Sequence, residues 1–172
     1  MREHSLFAKK SKCIFMTLSV EYLGHVISAQ GVATDPSKLE AIAKWALPKT
    51  IKQLCGFLGL TGYYRRFIKG YASISQPLTS LLKKNAFQWN DKATDAFEIL
   101  KAAMLISPVL SLPNFDKEFV VETDASGMGI GSILQQDGHP IAYLSKTLSP
   151  RHQTMSTYEK DLLAVIHALE KW

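Results

Sequence analysis

Apolar positions along the 172 residues follow two rhythms. From Phe119 onward they come in short runs separated by glycine. Phe119 to Thr123 is β-branched and aromatic, Ile130 to Gln136 is a second run, and Ile141 to Leu148 is a third. Asp137-Gly138 between the last two is a strong hairpin signal. Gly127, Gly129 and Gly131 let the chain turn and then pack closely. The pattern predicts a three-stranded antiparallel sheet over 118–147. From about residue 153 the period becomes helical: Met155, Tyr158, Leu162, Val165, Ile166, Leu169 and Trp172 fall on one broad stripe.

The front of the chain changes rhythm in the opposite order. Residues 1–33 read as strands, with Val20 to Ser28 as one strand and Gln30-Gly31 as a turn. Asp35-Pro36 opens a helix, with Asp35 as N-cap and proline at the first position. Leu39, Ile42, Ala43 and Trp45-Ala46 form its apolar side, and Pro48 ends it. A second helix starts near Thr50, carried by Ile51, Leu54, Cys55 and Leu58, so that 35–70 holds two helices. Asp91 caps a further helix over 92–105. Pro108 and Pro113 bound a short strand at 109–112.

Charge adds a polarity to this outline. Residues 1–113 carry 15 basic and 7 acidic side chains, and residues 114–172 carry 5 basic and 8 acidic. A basic front suits a polyanion and an acidic end suits a metal. An ordinary solvated surface accounts for the same numbers. Cys13 and Cys55 have no metal-ligand spacing and need no disulfide, which favours a reducing, intracellular compartment. No apolar run is long enough to span a membrane, and no signal peptide is recognisable.

Two sets of residues carry candidate chemistry. Asp124 ends the first strand among small residues, where it is either a turn-forming cap or a metal ligand. Glu159 falls inside the apolar stripe of the last helix, where a carboxylate is costly unless paired or bound to a cation. An acid from a strand end and one from a packed helix can converge on a divalent ion. Gly56, Gly59 and Gly62 recur every three residues in the second helix, each costing about 1 kcal/mol relative to alanine. Something therefore approaches that backbone closely. It is either another helix or a nucleic-acid minor groove, with Lys52, Arg65 and Arg66 nearby for phosphates.

Three motifs resemble one family. Thr123-Asp-Ala-Ser-Gly, Pro140-Ile-Ala-Tyr-Leu-Ser-Lys and Tyr158-Glu-Lys-Asp-Leu-Leu-Ala-Val resemble the RNase H domain of gypsy-type LTR retrotransposon Pol polyproteins. Leu54-Cys-Gly-Phe-Leu-Gly-Leu-Thr-Gly-Tyr-Tyr-Arg-Arg-Phe-Ile is similar to the thumb helix of their reverse transcriptases. Tyr22-Leu-Gly-His resembles the palm-edge hairpin that steadies a primer end; packing alone is the plainer account of those four residues. The chain departs from the family at Cys55, where arginine or lysine is usual, and at Asp161, where glutamate is usual.

The resemblance implies an α+β fold: a short palm-edge hairpin, a helical thumb, a connection, then a truncated RNase H-like mixed sheet with one covering helix. The implied divisions are 1–34 for the palm end, 35–85 for the thumb, 86–117 for the connection and 118–172 for the first half of RNase H. It implies Asp124 and Glu159 as catalytic metal ligands for Mg2+ or Mn2+, bound weakly here. It implies Tyr22, Leu23, Gly24, His25, Lys52, Gly56, Gly59, Arg65 and Arg66 as nucleic-acid contacts. The implied partners are an RNA–DNA hybrid or template–primer duplex and the remainder of the Pol polyprotein, with no membrane, in the cytoplasm, a virus-like particle or the nucleus. The family's polymerase aspartates lie upstream of position 1 and a further RNase H aspartate lies past Trp172. No Asp-Asp pair occurs in the sequence. The expectation is a fragment of an RNA-directed DNA polymerase and ribonuclease H that grips hybrid without cleaving it. The alternatives are a domesticated binding or scaffold protein, and a minimal hydrolase completed by Glu122 or Asp137.

Overall fold

The computed structural model describes Phe7 and residues 9–172. The strand expectation for 1–33 thus lies partly outside the described residues. The first sheet is antiparallel, in the order β1 (Ser19–Tyr22), β2 (His25–Ser28), β3 (Gly31–Thr34). The single strand expected over Val20 to Ser28 is folded in two. Leu23 at φ 48° and Gly24 at φ 76° make a two-residue turn that reverses it. The next turn falls at Ala29 and Gln30, and Gly31 opens β3 instead of sitting in the turn. A Cβ on Gly31 would collide with the Leu110 carbonyl. There the strand expected at 109–112 contracts to one bridge, with Val32 N–H donating to Leu110 O and Leu110 N–H donating to Val32 O, each at 2.8 Å.

The helices start where side-chain caps are available. Asp35 accepts from Ser37 N–H at 2.8 Å and opens α1 (Pro36–Ala43), which ends at Lys44, before the Trp45 expected on its apolar side. Thr50 accepts from Gln53 N–H and opens α2 (Ile51–Tyr63), followed by a 3-10 turn at Arg65–Phe67. A helix unresolved in the sequence, α3, covers Tyr71–Ser80. Asn90 caps α4 (Asp91–Leu105), not Asp91; the Asp91 carboxylate sits instead in the first turn, where the helix dipole favours it.

These helices share one core. Ile42, Leu54, Phe57, Leu78, Phe97, Leu100 and Met104 are fully or almost fully buried, with the Phe57 and Phe97 rings 4.5 Å apart. Each such side chain contributes about 1.5–3 kcal/mol by leaving water. Val32, Trp45, Trp89 and Tyr143 pack on its rim, so parts of both sheets touch it.

The second sheet is β4 (Val120–Ala125), β5 (Gly129–Gln136), β6 (His139–Thr147), in that order. Among the described residues it is antiparallel throughout, as the run pattern over 118–147 predicts, and no parallel strand of the mixed sheet implied by the resemblance is among them. Asp137 and Gly138, at φ 51° and 75°, make the predicted turn. Buried Gln136 ties the preceding segment to the sheet, donating to Asn114 O and Lys117 O and accepting from Asn114 N–H.

Helices meet this sheet on both faces. Ala72 N–H at the start of α3 donates to Ser145 Oγ on β6 at 2.9 Å. A short α5 (Pro150–Gln153) leads to α6 (Thr157–Leu169), which packs Ala164 and Leu163 against Ile130, Leu148 and Ala125. The apolar stripe predicted to face the sheet is therefore turned outward: Leu162 is 60% and Leu169 69% exposed, while Ala164 and Ala168 are fully buried. Alanine lets the helix backbone approach the strands, and the bulky stripe lies roughly a third of a turn away.

Candidate functional site

Strand alternation sorts the acids of β4. Thr123 and Ala125 share the face that α6 covers; Glu122 and Asp124 share the face where α3 begins. On that face Asp124 is paired in register with Gly131, and Glu122 with Ile133. Together they line a groove of about 160 Å3 with Lys69, Gly70 and Ser73 from the start of α3. The Asp124 side chain is exposed and has no hydrogen-bond or ion-pair partner among the described residues. The turn after β4 is closed by Ser126 instead, whose hydroxyl donates to Gly129 O and accepts from the Met128 and Gly129 N–H groups. The capping alternative for Asp124 therefore falls away. Glu122 accepts a hydrogen bond from Gln135 Nε2.

Glu159 has a different employment. Its Oε2 accepts from the Ser156 N–H and the Ser156 hydroxyl, each at 2.8 Å, while Ser156 Oγ accepts from the Glu159 N–H. This reciprocal cap opens α6. The Ser156 backbone bond first, and its hydroxyl second, hold the Glu159 carboxyl below the ordinary range. Glu159 is exposed and not buried in the stripe as expected, because it sits in the first turn. The contact of Ala125 with Leu163 brings the end of β4 beside the first half of α6. Asp124 and Glu159 nevertheless belong to different faces, and Glu159 does not line the Asp124 groove. Among the described residues, no group of three or more His, Cys, Asp or Glu side chains is arranged to hold a metal. Asp137 sits in the hairpin turn at the opposite end of β5, 2.6 Å from Lys117.

The sequence-predicted contacts for nucleic acid fall into three places. Tyr22 and Leu23, 60% and 69% exposed, form the tip of the first hairpin. That tip is fastened to the end of α2 by two phenols: Tyr63 donates to Leu23 O at 2.6 Å and Tyr64 donates to Gly24 O at 2.7 Å. A Cβ on Gly24 would meet the Tyr64 hydroxyl at 2.8 Å. His25 is a packing group, stacked on Tyr63 at 5.4 Å and on Phe67 at 5.6 Å, with its Nδ1 buried and unpartnered; burial lowers its pKa.

On α2 the glycines differ among themselves. A Cβ on Gly56 would touch the Trp45 ring and one on Gly62 the Tyr71 hydroxyl, whereas one on Gly59 would meet nothing within 4 Å. Among the described residues no helix packs on Gly59, and with exposed Lys52 it leaves one helical face open. Arg65 and Arg66 lie in the 3-10 turn and line a separate cleft with Lys146, His167 and Lys171. No motif pointed to Lys69, Ser73, His167 or Lys171, and Lys146 entered only as the last residue of the Pro140 motif, with no role of its own; topology brings them in.

Over residues 89–172 the chain matches the family of RNase H-like domains found in reverse transcriptase. Over 170 residues it is 41% identical to the retrovirus-related Pol polyprotein from transposon 297, and over 175 residues 38% identical to that from transposon gypsy, both of Drosophila melanogaster. The chain belongs to the retrovirus-related Pol polyprotein family. The Pol alignments take in 98% and 94% of this chain but 16% and 17% of those polyproteins, so it spans about one sixth of their length. A shorter relative, an uncharacterized mitochondrial protein of Arabidopsis thaliana, is 50% identical over 120 residues, covering 69% of this chain and 76% of that protein. Among solved structures, the foamy viral protease-reverse transcriptase in complex with RNA/DNA hybrid matches with a TM-score of 0.82 at 26% identity, over 90% of this chain and 22% of that one. The same enzyme in complex with dsDNA matches at 0.82 and 26%, over 91% and 34%. The RNase H-like reverse-transcriptase family to which this Pol segment is related generally depends on a divalent metal. No helix among the described residues is long and apolar enough to cross a membrane.

Proposed function

We propose that this chain is the part of a Pol protein that holds a nucleic-acid duplex between polymerase and ribonuclease H centres. In this reading, 1–34 ends the palm, 35–85 is the thumb, 86–117 the connection and 118–172 the start of RNase H, working inside the cell or a virus-like particle. The observation that carries it is the open backbone face of α2 at Gly59. A glycine facing solvent in a helix stabilises nothing in the folded chain, and a minor groove can approach it. Lys52 on that helix supplies charge for phosphates, and the hairpin tip at Tyr22 and Leu23 offers exposed side chains beside it.

The donor chemistry at the end of β4 fits a hard divalent cation such as Mg2+ or Mn2+, which binds through one or two carboxylates and keeps several waters. Asp124 is exposed and unpaired, and would hold the ion. Glu159, on the α6 side with its Oε2 engaged in the cap, would join through Oε1 only with a shift of the first turn of α6 toward the end of β4. A divalent ion bound there would polarise a phosphate oxygen and lower the pKa of a water. The chain's own residues do the rest: β4 fixes Asp124 against β5, Ser126 closes the turn behind it, and Lys69 places a positive charge on the same groove.

The test is anisotropy of a labelled RNA–DNA hybrid titrated with residues 1–172, alongside Mn2+ titration. We expect salt-sensitive hybrid binding, weak Mn2+ binding lost in Asp124→Asn, and no hybrid cleavage above background. Absence of hybrid binding at low salt would sink the proposal. Robust cleavage would favour the minimal-hydrolase reading, with Glu122 on the same face as the third acid.

A further inference from the structure

The 3-10 turn after α2, strand β6 and the last turn of α6 enclose a cleft of about 270 Å3. Its ionisable side chains are all basic: Arg65 and Arg66 from the turn, Lys146 from the strand, His167 from the last turn of α6 and Lys171 just past its end, with no acidic side chain on its walls among the described residues. The four arginines and lysines are exposed and form no ion pair among the described residues. This convergence runs against the regional charge, because residues 114–172 carry 5 basic and 8 acidic side chains. Two of those five bases, Lys146 and Lys171, have been brought to a place where the basic half of the chain touches the sheet. Trp172 forms part of the wall and is 41% exposed.

Like charges gathered in one concavity repel unless an anion joins them. His167 registers this: burial first, and then the Lys146 and Lys171 charges, lower its pKa against the opposing pull of Glu170. The cleft falls below the ~300–1,000 Å3 range of pockets that enclose drug-sized ligands, a scale suited to one or two phosphate groups. Guanidinium groups match the geometry of phosphate oxygens. We propose that this cleft binds a phosphate of the nucleic-acid backbone, a contact separate from the Gly59 face and from the Asp124 groove. The inference rests on the duplex-binding reading for the source of the phosphate, but not for the site itself.

Two titrations of the full 172-residue chain separate these. Inorganic phosphate is followed by the His167 imidazole resonances in NMR, and the labelled hybrid by anisotropy across a salt series. The variants are the double substitution Lys146→Ala with Lys171→Ala, and a control with the same charge loss, Lys83→Ala with Lys84→Ala. Circular dichroism melts confirm that both fold. We expect a saturable phosphate-induced shift at His167 that the cleft variant loses and the control keeps. For hybrid, the cleft variant should bind several-fold more weakly, with a salt slope shallower by about 1–2, while the control stays near wild type. If phosphate binding at His167 is intact and hybrid does not bind at all, the cleft is an anion site and the duplex reading fails. If the cleft variant matches the control in both titrations, the cleft proposal is overturned while the duplex reading stands.

Discussion

Two glycines on neighbouring elements have opposite reasons to be glycine. Gly24 holds φ 76° and leaves no room for a Cβ beneath the Tyr64 hydroxyl. We predict that Gly24→Ala destabilises the fold by about 1 kcal/mol or more, read as a lower urea midpoint; an unchanged midpoint would mean the hairpin is not held against α2. Gly59 has ordinary helical backbone and open space. Gly59→Ala should raise stability by up to about 1 kcal/mol and still weaken hybrid binding. A variant that is more stable and binds normally would remove the reason given for that glycine. Residue-scale readings from the sequence were sound at several positions whose neighbours are local, though the α4 cap fell on Asn90, one place before Asp91, and the turn at Gln30-Gly31 fell one place earlier. Asp35, Thr50 and the Asp137-Gly138 turn act within three residues of themselves. His25 was beyond reach, since its stacking partners are about 40 positions away.

At the scale of elements, most strands and helices were legible from period, caps and turn residues, but α3, the reversal between β1 and β2 and the orientation of α6 were not. The stripe from Tyr158 to Leu169 is a genuine periodic feature of α6, yet Ala164 and Ala168 are what the sheet receives. Hydrophobic spacing weighs leucine above alanine, while close helix–sheet approach rewards the smaller residue. The same helix makes a pH prediction. Glu159 has a depressed pKa in the folded chain, so its stabilising effect is present above the unfolded glutamate pKa. It is lost as pH falls through the folded value. Amide resonances of Ser156 and Glu159 should therefore show the first turn of α6 loosening only in acid, and Ser156→Ala should loosen it already at neutral pH. A first turn that is indifferent to both changes would mean the reciprocal cap does not form in solution.

Across the whole molecule the two cores are unequal. The helical core gathers Ile42, Phe57, Phe97, Met104 and their neighbours, whereas α6 meets its sheet through Ile130, Leu148 and Ala164 with Ala125 and Leu163 around them. Stability should follow that division. We predict that backbone amides of α2 and α4 exchange with deuterium far more slowly than those of α6 and β4. Equal protection in both regions would show that the sheet and α6 unfold only with the rest. The weaker end is also the end that carries Asp124, Glu159 and the bulky exposed face of α6. Its cation affinity is therefore expected to depend on how firmly α6 is seated.

The joint between the first hairpin and α2 has a mechanical consequence. Both phenols grip main-chain oxygens, so the grip does not care which side chain stands at position 23. Among residues that tolerate its φ of 48°, that position can be exchanged to suit whatever lies against the tip without loosening the fastening. Push on the tip, and the load passes through two short rigid links into the last turn of α2 and the 3-10 turn behind it. The tip and the arginines at the rim of the basic cleft are thus ends of one lever, and a strand resting on the first would be felt at the second.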